Sequence, residues 1–406
     1  MVTERLSEFI LRELILEGGL AGHMSTPIDF PEFTGDDLKE LVESLFSGKI
    51  EHMKEKLDGT NLNAYRDLNG ETVFIRNQTD LNSEKGGMSL EEISVRYFDK
   101  PGVAENFIKA AKVIEQVFER VPVKFFNPED GVKVVVNCEC ISAGKTNVII
   151  YSSDRVAFHG TSTYTLNDST GKWQLTDANE GVPKEIEKAA EGFKSTEPRP
   201  DLIVKSVEQG KKMSDLFCKY IDKLFSDEGL STTATIDEWK HNRFMEFVPD
   251  WLDPEDVYRR WFYGDKSIGL NQLKKKYSEK LSELKKLDQV DFKDIVRKTI
   301  EPLDRLIMKI GNTLIECLEG FTNSGNFSEV SAQLKSDYEQ LVSEIKSNAT
   351  EDEMAKLEVQ IARLDELGNV INAAEGVVFT YKGKLMKLTG SFSALNQIMG
   401  LRKFSR

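Results

Sequence analysis

Hydrophobic positions recur along this chain in two rhythms, and the switches between them divide it into blocks. Leu6, Phe9, Ile10 and Leu14 lie at helical spacing until Gly18-Gly19 breaks the pattern. Thr34-Gly35-Asp36-Asp37 reads as the start of a second helix, which carries Leu38, Leu41, Val42 and Leu45 and ends near Gly48. From about 51 the rhythm shortens. Residues 62–66 and 72–76 flank the turn Asp67-Leu68-Asn69-Gly70 and predict a hairpin. Residues 132–141, 148–152 and 155–159 are rich in β-branched side chains and predict strands. Asp168-Ser169-Thr170-Gly171 reads as a turn, and 159–163 as a polar loop. One helix, about 102–120, interrupts the strands with Phe107, Ala110, Ala111, Ile114, Val117 and Phe118 on one face.

From about 185 to 368 the strand signal disappears. Helical stripes run through Leu270 to Leu287, Ile300 to Leu314, Val330 to Ile345 and Leu357 to Leu367. At 375 strands return: residues 377–381, the turn Lys382-Gly383 and residues 385–388 predict a second hairpin. Strands that resume after so long a helical stretch imply an α+β core of antiparallel sheets interrupted by an all-α insertion. The expected division is 1–50, a helical segment packed on the core; 51–184, the first part of the core; 185–368, the insertion; and 369–406, the rest of the core.

Charge and composition narrow the classes. Lys+Arg number 54 against 68 Asp+Glu in 406 residues, a formal charge of −14. An acidic total argues against a protein that coats nucleic acid without selectivity, since phosphate binding is mostly electrostatic; it leaves room for a local basic cleft. No stretch has the ~18–20 uncharged apolar residues of a membrane-spanning helix. Four cysteines make no disulfide framework, and reduced thiols with no export signal predict a cytoplasmic protein with no membrane partner. Cys138 and Cys140 have the wrong spacing for a zinc clamp and read as buried thiols on one strand face. The four histidines show no paired ligand spacing. The lysine runs 274–276 and 285–286 read as a solvated helix face, and the cluster Trp239, Trp251, Trp261, Phe262 and Tyr263 as packing.

The candidate chemistry lies in the strand blocks. In Lys56-Leu57-Asp58-Gly59-Thr60-Asn61 a lysine stands beside an acid and a glycine at a strand–turn junction. An amine attacks only when neutral, so such a lysine needs burial or neighbouring cations, and Gly59 would let the backbone turn tightly beside a phosphate. Further on come Glu139, a charge inside an apolar strand; Phe158 at the end of the next; Glu375-Gly376 at the head of another; and Lys387 mid-strand. Two lysines and two glutamates on strands suit the handling of phosphates and a metal.

In this order the residues resemble the covalent nucleotidyltransferase superfamily of RNA ligases, DNA ligases and mRNA capping enzymes, and the form Lys-x-Asp-Gly-x-Asn is most similar to the RNA ligase branch. Gly18-Gly19-Leu20-Ala21-Gly22-His23-Met24 and Lys387-Leu388-Thr389-Gly390 resemble tailed-phage members of the superfamily. The resemblance implies an ATP-grasp-like adenylation core in which Lys56 attacks the α-phosphate of ATP to give lysyl-AMP. It implies that Asp58 and Asn61 position ribose or phosphates and that Arg76 contacts a 5′-phosphate. Glu139 would bind ribose, Phe158 would stack on adenine, and Glu375 would bind Mg²⁺ or Mn²⁺. Lys387 would bind the α-phosphate and help keep Lys56 neutral by repulsion. AMP would then pass to a nucleic-acid 5′-phosphate and be displaced by a 3′-hydroxyl, with RNA as the first expectation. The chain departs from the pattern at Thr389, where a second lysine is usual, and at Cys138, where glycine usually precedes the glutamate. Three other readings stay open: an adenylyltransferase for a protein or small acceptor, a GTP-dependent capping-type enzyme, and a non-catalytic phage interaction protein with a degenerate pocket.

Overall fold

The helix expected after Thr34 forms as α1 (Gly35–Ser47). The Thr34 hydroxyl accepts the Asp37 N–H at 3.0 Å and the Asp37 carboxylate accepts the Thr34 N–H at 2.8 Å, so two otherwise orphaned donors are satisfied. Leu38, Leu41, Val42 and Leu45 are all buried, as their spacing requires. The computed structural model describes residues 24–99, 101–143, 148–179, 181–196, 201–249, 251–262 and 290–404. The first expected helix, the stripe Leu270–Leu287 and both lysine runs lie outside them.

Two antiparallel sheets carry the site. Strands β1 (Lys54–Lys56), β10 (Gly376–Tyr381) and β11 (Lys384–Thr389) form one, in the order β1-β10-β11. The other contains β2 (Thr60–Asn61), β3 (Asn63–Arg66), β4 (Thr72–Ile75), β5 (Val132–Ile141), β6 (Arg155–Asn167) and β7 (Lys172–Asn179), ordered β4-β3-β5-β6-β7 with β2 also on β5. The helix α2 (Pro101–Phe118) covers this second sheet, burying Phe107, Ile114 and Phe118 against Phe74, Val136 and Phe158. Both expected hairpins are present.

Two expectations about strands are corrected, and one strand was not expected. Residues 148–152 form no strand; they turn back toward the segment after β1. Residues 159–163 are not a loop but the middle of β6. Strand β7 gave no sequence signal because Gln174, Leu175, Thr176 and Asp177 are all exposed, so no apolar alternation marks it.

The described residues of the region 185–368 are mostly helical, with α3 (Val207–Asp227), α4 (Ile236–Phe247), α5 (Pro254–Phe262), α6 (Phe292–Cys317), α7 (Phe327–Asn348) and α8 (Glu351–Glu366). It is not all-α: β8 (Ile203–Val204) pairs antiparallel with β9 (Leu318–Glu319). Nor is it separate. Phe46 of α1, Phe225 of α3, Trp239 of α4, Leu306 and Leu314 of α6, Val377 of β10 and Leu388 of β11 belong to one hydrophobic core. The expected boundaries at 184 and 368 cut through that core. Trp239 is fully buried, with its indole N–H donating to the Leu224 carbonyl at 3.0 Å, which makes it a packing residue. Among the described residues no helix is long and apolar enough to cross a membrane.

Candidate functional site

The register of the three-stranded sheet sets the site's frame. Lys56 lies opposite Gly376, which lies opposite Thr389; Lys54 lies opposite Val378, which lies opposite Lys387. Cross-strand partners project to one face, so Lys54, Lys56, Lys387 and Thr389 share it. Glu55, Val377 and Leu388 take the other face and are buried. Gly376 is required where it stands: a Cβ there would lie 2.2 Å from the Leu388 carbonyl oxygen.

Lys56 is ion-paired with Glu375, the residue before β10. The Glu375 side chain is 8% exposed and that of Lys56 23%. The chain then leaves β1 through Asp58 and Gly59 to reach β2, which places Asn61 opposite Glu139. Gly59 has no left-handed backbone angle. It allows close approach, since a Cβ would lie 2.5 Å from Glu139 Cγ and 2.8 Å from the Cys140 carbonyl oxygen. At that distance the Gly59 N–H donates to Glu139 Oε1 at 2.8 Å. Glu139 Oε2 meets His159 Nε2 at 2.7 Å. The turn after the lysine is fixed from the other side by the corrected segment: Asp58 Oδ2 accepts the Ile149 N–H at 2.7 Å, and the Asp58 N–H donates to the Tyr151 hydroxyl at 2.9 Å.

Three carboxylates thus surround one amine, and the electrostatics follow. Burial works to lower the Lys56 pKa, but Glu375, Glu139 and Asp58 outweigh it and hold the ammonium above its ordinary value. The three carboxylates thus favour the ammonium form of this amine. Burial pushes the Glu375 carboxyl up to about 8, against the pull of Lys56, and the Asp58 carboxyl up to about 6, against the Ile149 N–H. Burial would raise Glu139 too, but the hydrogen bond and charge of His159 and then the charge of Lys56 keep it below the usual carboxylate range.

Lys56, Asp58, Gly59, Glu139 and Glu375 are therefore together. Asn61 is beside them, its Oδ1 buried with no hydrogen-bond partner, and Lys387 shares the Lys56 face. Two expected residues point elsewhere. Phe158 lies opposite Cys138, on the face away from Glu139, and is 6% exposed in the core under α2, with its ring 6.4 Å from that of Phe118. It cannot stack on a base there. Arg76 sits over the Phe107 ring at 4.7 Å and reaches the Tyr97 hydroxyl at 3.4 Å, on the helix-covered side. His159, Tyr151 and Lys54 were missed. The signal for His159 was parity: it stands two residues after Ala157, the partner of Glu139 across the ladder. Cys138 and Cys140 are buried free thiols, as expected.

Among the described residues no group of three or more His, Cys, Asp or Glu side chains could by itself hold a metal ion. The donors present do fit Mg²⁺ or Mn²⁺ in the manner usual for phosphate chemistry, with one or two carboxylates from the protein and the rest from phosphates and water; Glu375 is the carboxylate beside Lys56. No family model matches the chain, and no curated protein matches it.

Proposed function

We propose that this protein is an ATP-dependent, RNA ligase-like nucleotidyltransferase. The observation that carries the reading is the ion pair between Lys56 and Glu375, made on the sheet face that also carries Lys387, with Glu139 tied to the backbone of the same lysine turn. Residues that were picked from the sequence for one chemistry converge from strands far apart along the chain.

In the first step Lys56 Nζ bonds to the α-phosphorus as the bond to the bridging pyrophosphate oxygen breaks, leaving AMP on the lysine. Before that, Nζ, whose side chain is 23% exposed, has to pass to water the proton that its three carboxylate neighbours stabilise. Glu375 would hold a divalent cation, and the charge it would supply would offset those carboxylates and the incoming phosphates. Glu139, held by the Gly59 N–H and His159, keeps the turn after Lys56 rigid, and Asp58 anchors that turn to residues 149–151. Lys387 offers a charge to a phosphate on the same face. AMP then passes to a nucleic-acid 5′-phosphate, and a 3′-hydroxyl displaces it.

Incubation with α-labelled ATP and Mg²⁺ or Mn²⁺ tests the first step. The expected result is an acid-labile protein label that Lys56→Ala abolishes. No label with ATP or GTP overturns the reading and favours an interaction protein, while a label from GTP alone favours capping-type chemistry. Conversion of a 5′-phosphorylated RNA to its adenylylated form and then to a joined product tests the later steps, and transfer to protein alone replaces ligation with protein adenylylation.

A further inference from the structure

Lys54 was not among the residues expected to act, yet the sheet register puts it on the reactive face. Alternation along β1 sends Lys54 and Lys56 to the same side, and the ladder sets Lys54, Val378 and Lys387 on the rung next to Lys56, Gly376 and Thr389. With strands about 4.8 Å apart and like-facing residues about 7 Å apart along a strand, Lys54 and Lys387 start roughly 10 Å from each other across one rung, with Lys56 on the next.

Charge then sorts this face into two parts. Around Lys56 lie Glu375, Glu139 and Asp58, which repel a polyanion. Lys54 pairs with a different carboxylate. Its Nζ meets Asp201 Oδ1 at 2.8 Å, and Asp201 Oδ2 meets His52 Nδ1 at 3.2 Å. The Lys54 and Asp201 side chains are 32% and 46% exposed. An ion pair this open to water contributes little to stability, so exchanging its carboxylate for a phosphate group costs little.

We propose that Lys54 is a phosphate-binding residue that takes the terminal phosphates of a nucleoside triphosphate whose α-phosphate lies at Lys56, and that Asp201 is the competing anion it leaves. The proposal builds on the nucleotidyltransferase reading but is tested apart from it, with inorganic tripolyphosphate as the probe.

Calorimetric titration of the full chain with tripolyphosphate, in the presence of Mg²⁺, compares the wild type with Lys54→Ala and Asp201→Asn. Removing the amine is expected to weaken tripolyphosphate binding about tenfold, and removing the competing charge to strengthen it severalfold, with AMP binding unchanged in both. The opposite signs separate a phosphate site from a structural pair, because loss of a structural pair would move both variants in one direction. Thermal unfolding of the two variants confirms that each is folded. Wild type that does not bind tripolyphosphate, equal binding by Lys54→Ala, or weakening in both variants overturns the proposal. Opposite shifts without any ATP-derived label on wild type would keep the phosphate site and discard nucleotidyl transfer. A label whose ATP dependence is untouched by Lys54→Ala would do the reverse.

Discussion

Burial pushes the Asp58 carboxyl up to about 6, and the sign of its effect on stability follows from that. Between its ordinary value near 3.8 and 6 the folded protein holds a proton there that the unfolded chain has lost. Stability therefore falls as pH rises through this window, and the loss is complete above it. Asp58→Asn keeps an acceptor for the Ile149 N–H but removes the titration. Measured by denaturant unfolding, the variant is expected to gain on the wild type between pH 3.5 and 7 by at most about 3 kcal/mol; a difference that does not change with pH would contradict this. The same scale shows where reading from sequence stopped. Lys56, Asp58, Glu139 and Glu375 were legible because each is a charge at an apolar strand or beside a tight turn. Phe158 was expected in the site and His159 in a loop, whereas His159 is the one that meets Glu139. Ala157 pairs with Glu139 and Phe158 with Cys138 on the next rung, so plain alternation turns Phe158 away from the glutamate and brings His159 back to its side. That parity can be read only once the pairing partner of Glu139 is known, which no local window supplies.

Strand β10 shows the same dependence one level up. Its glycine lets the Leu388 carbonyl come close, and the pairing with β11 on one side and β1 on the other holds Lys56 near Glu375 and on the face of Lys387. Gly376→Ala is expected to lower unfolding stability by about 1–3 kcal/mol, the usual cost of overpacking a tight site, and to abolish any Lys56 label by moving the strands apart. A variant as stable as wild type would show that the close approach is dispensable. Helices and hairpins were legible here because one face of each is buried, as in α1 with its capping threonine. Strand β7, with exposed central side chains, and residues 149–151, whose work is to hydrogen-bond Asp58, carry no such pattern.

For the molecule as a whole, the helices between the two halves of the core are part of what holds the lysine-bearing sheet. Leu306, Ile310 and Leu314 of α6 share one core with Val377 and Leu388. Replacing 185–368 by a short linker is therefore expected to abolish cooperative thermal unfolding, whereas a truly separate insertion would leave a folded remainder. The stripes at 300–314, 330–345 and 357–367 fall on α6, α7 and α8, but which helices lie against the sheet depends on long-range burial that no local window contains. The pairing of β1 with β10 also orders events during synthesis. Lys56 emerges from the ribosome early, yet its partner strand begins only at residue 376. At ~5–20 residues per second the gap is on the order of tens of seconds. Throughout that interval the nascent chain has Lys56 but no Glu375 to meet it, so the charged pocket cannot assemble before translation has passed β10.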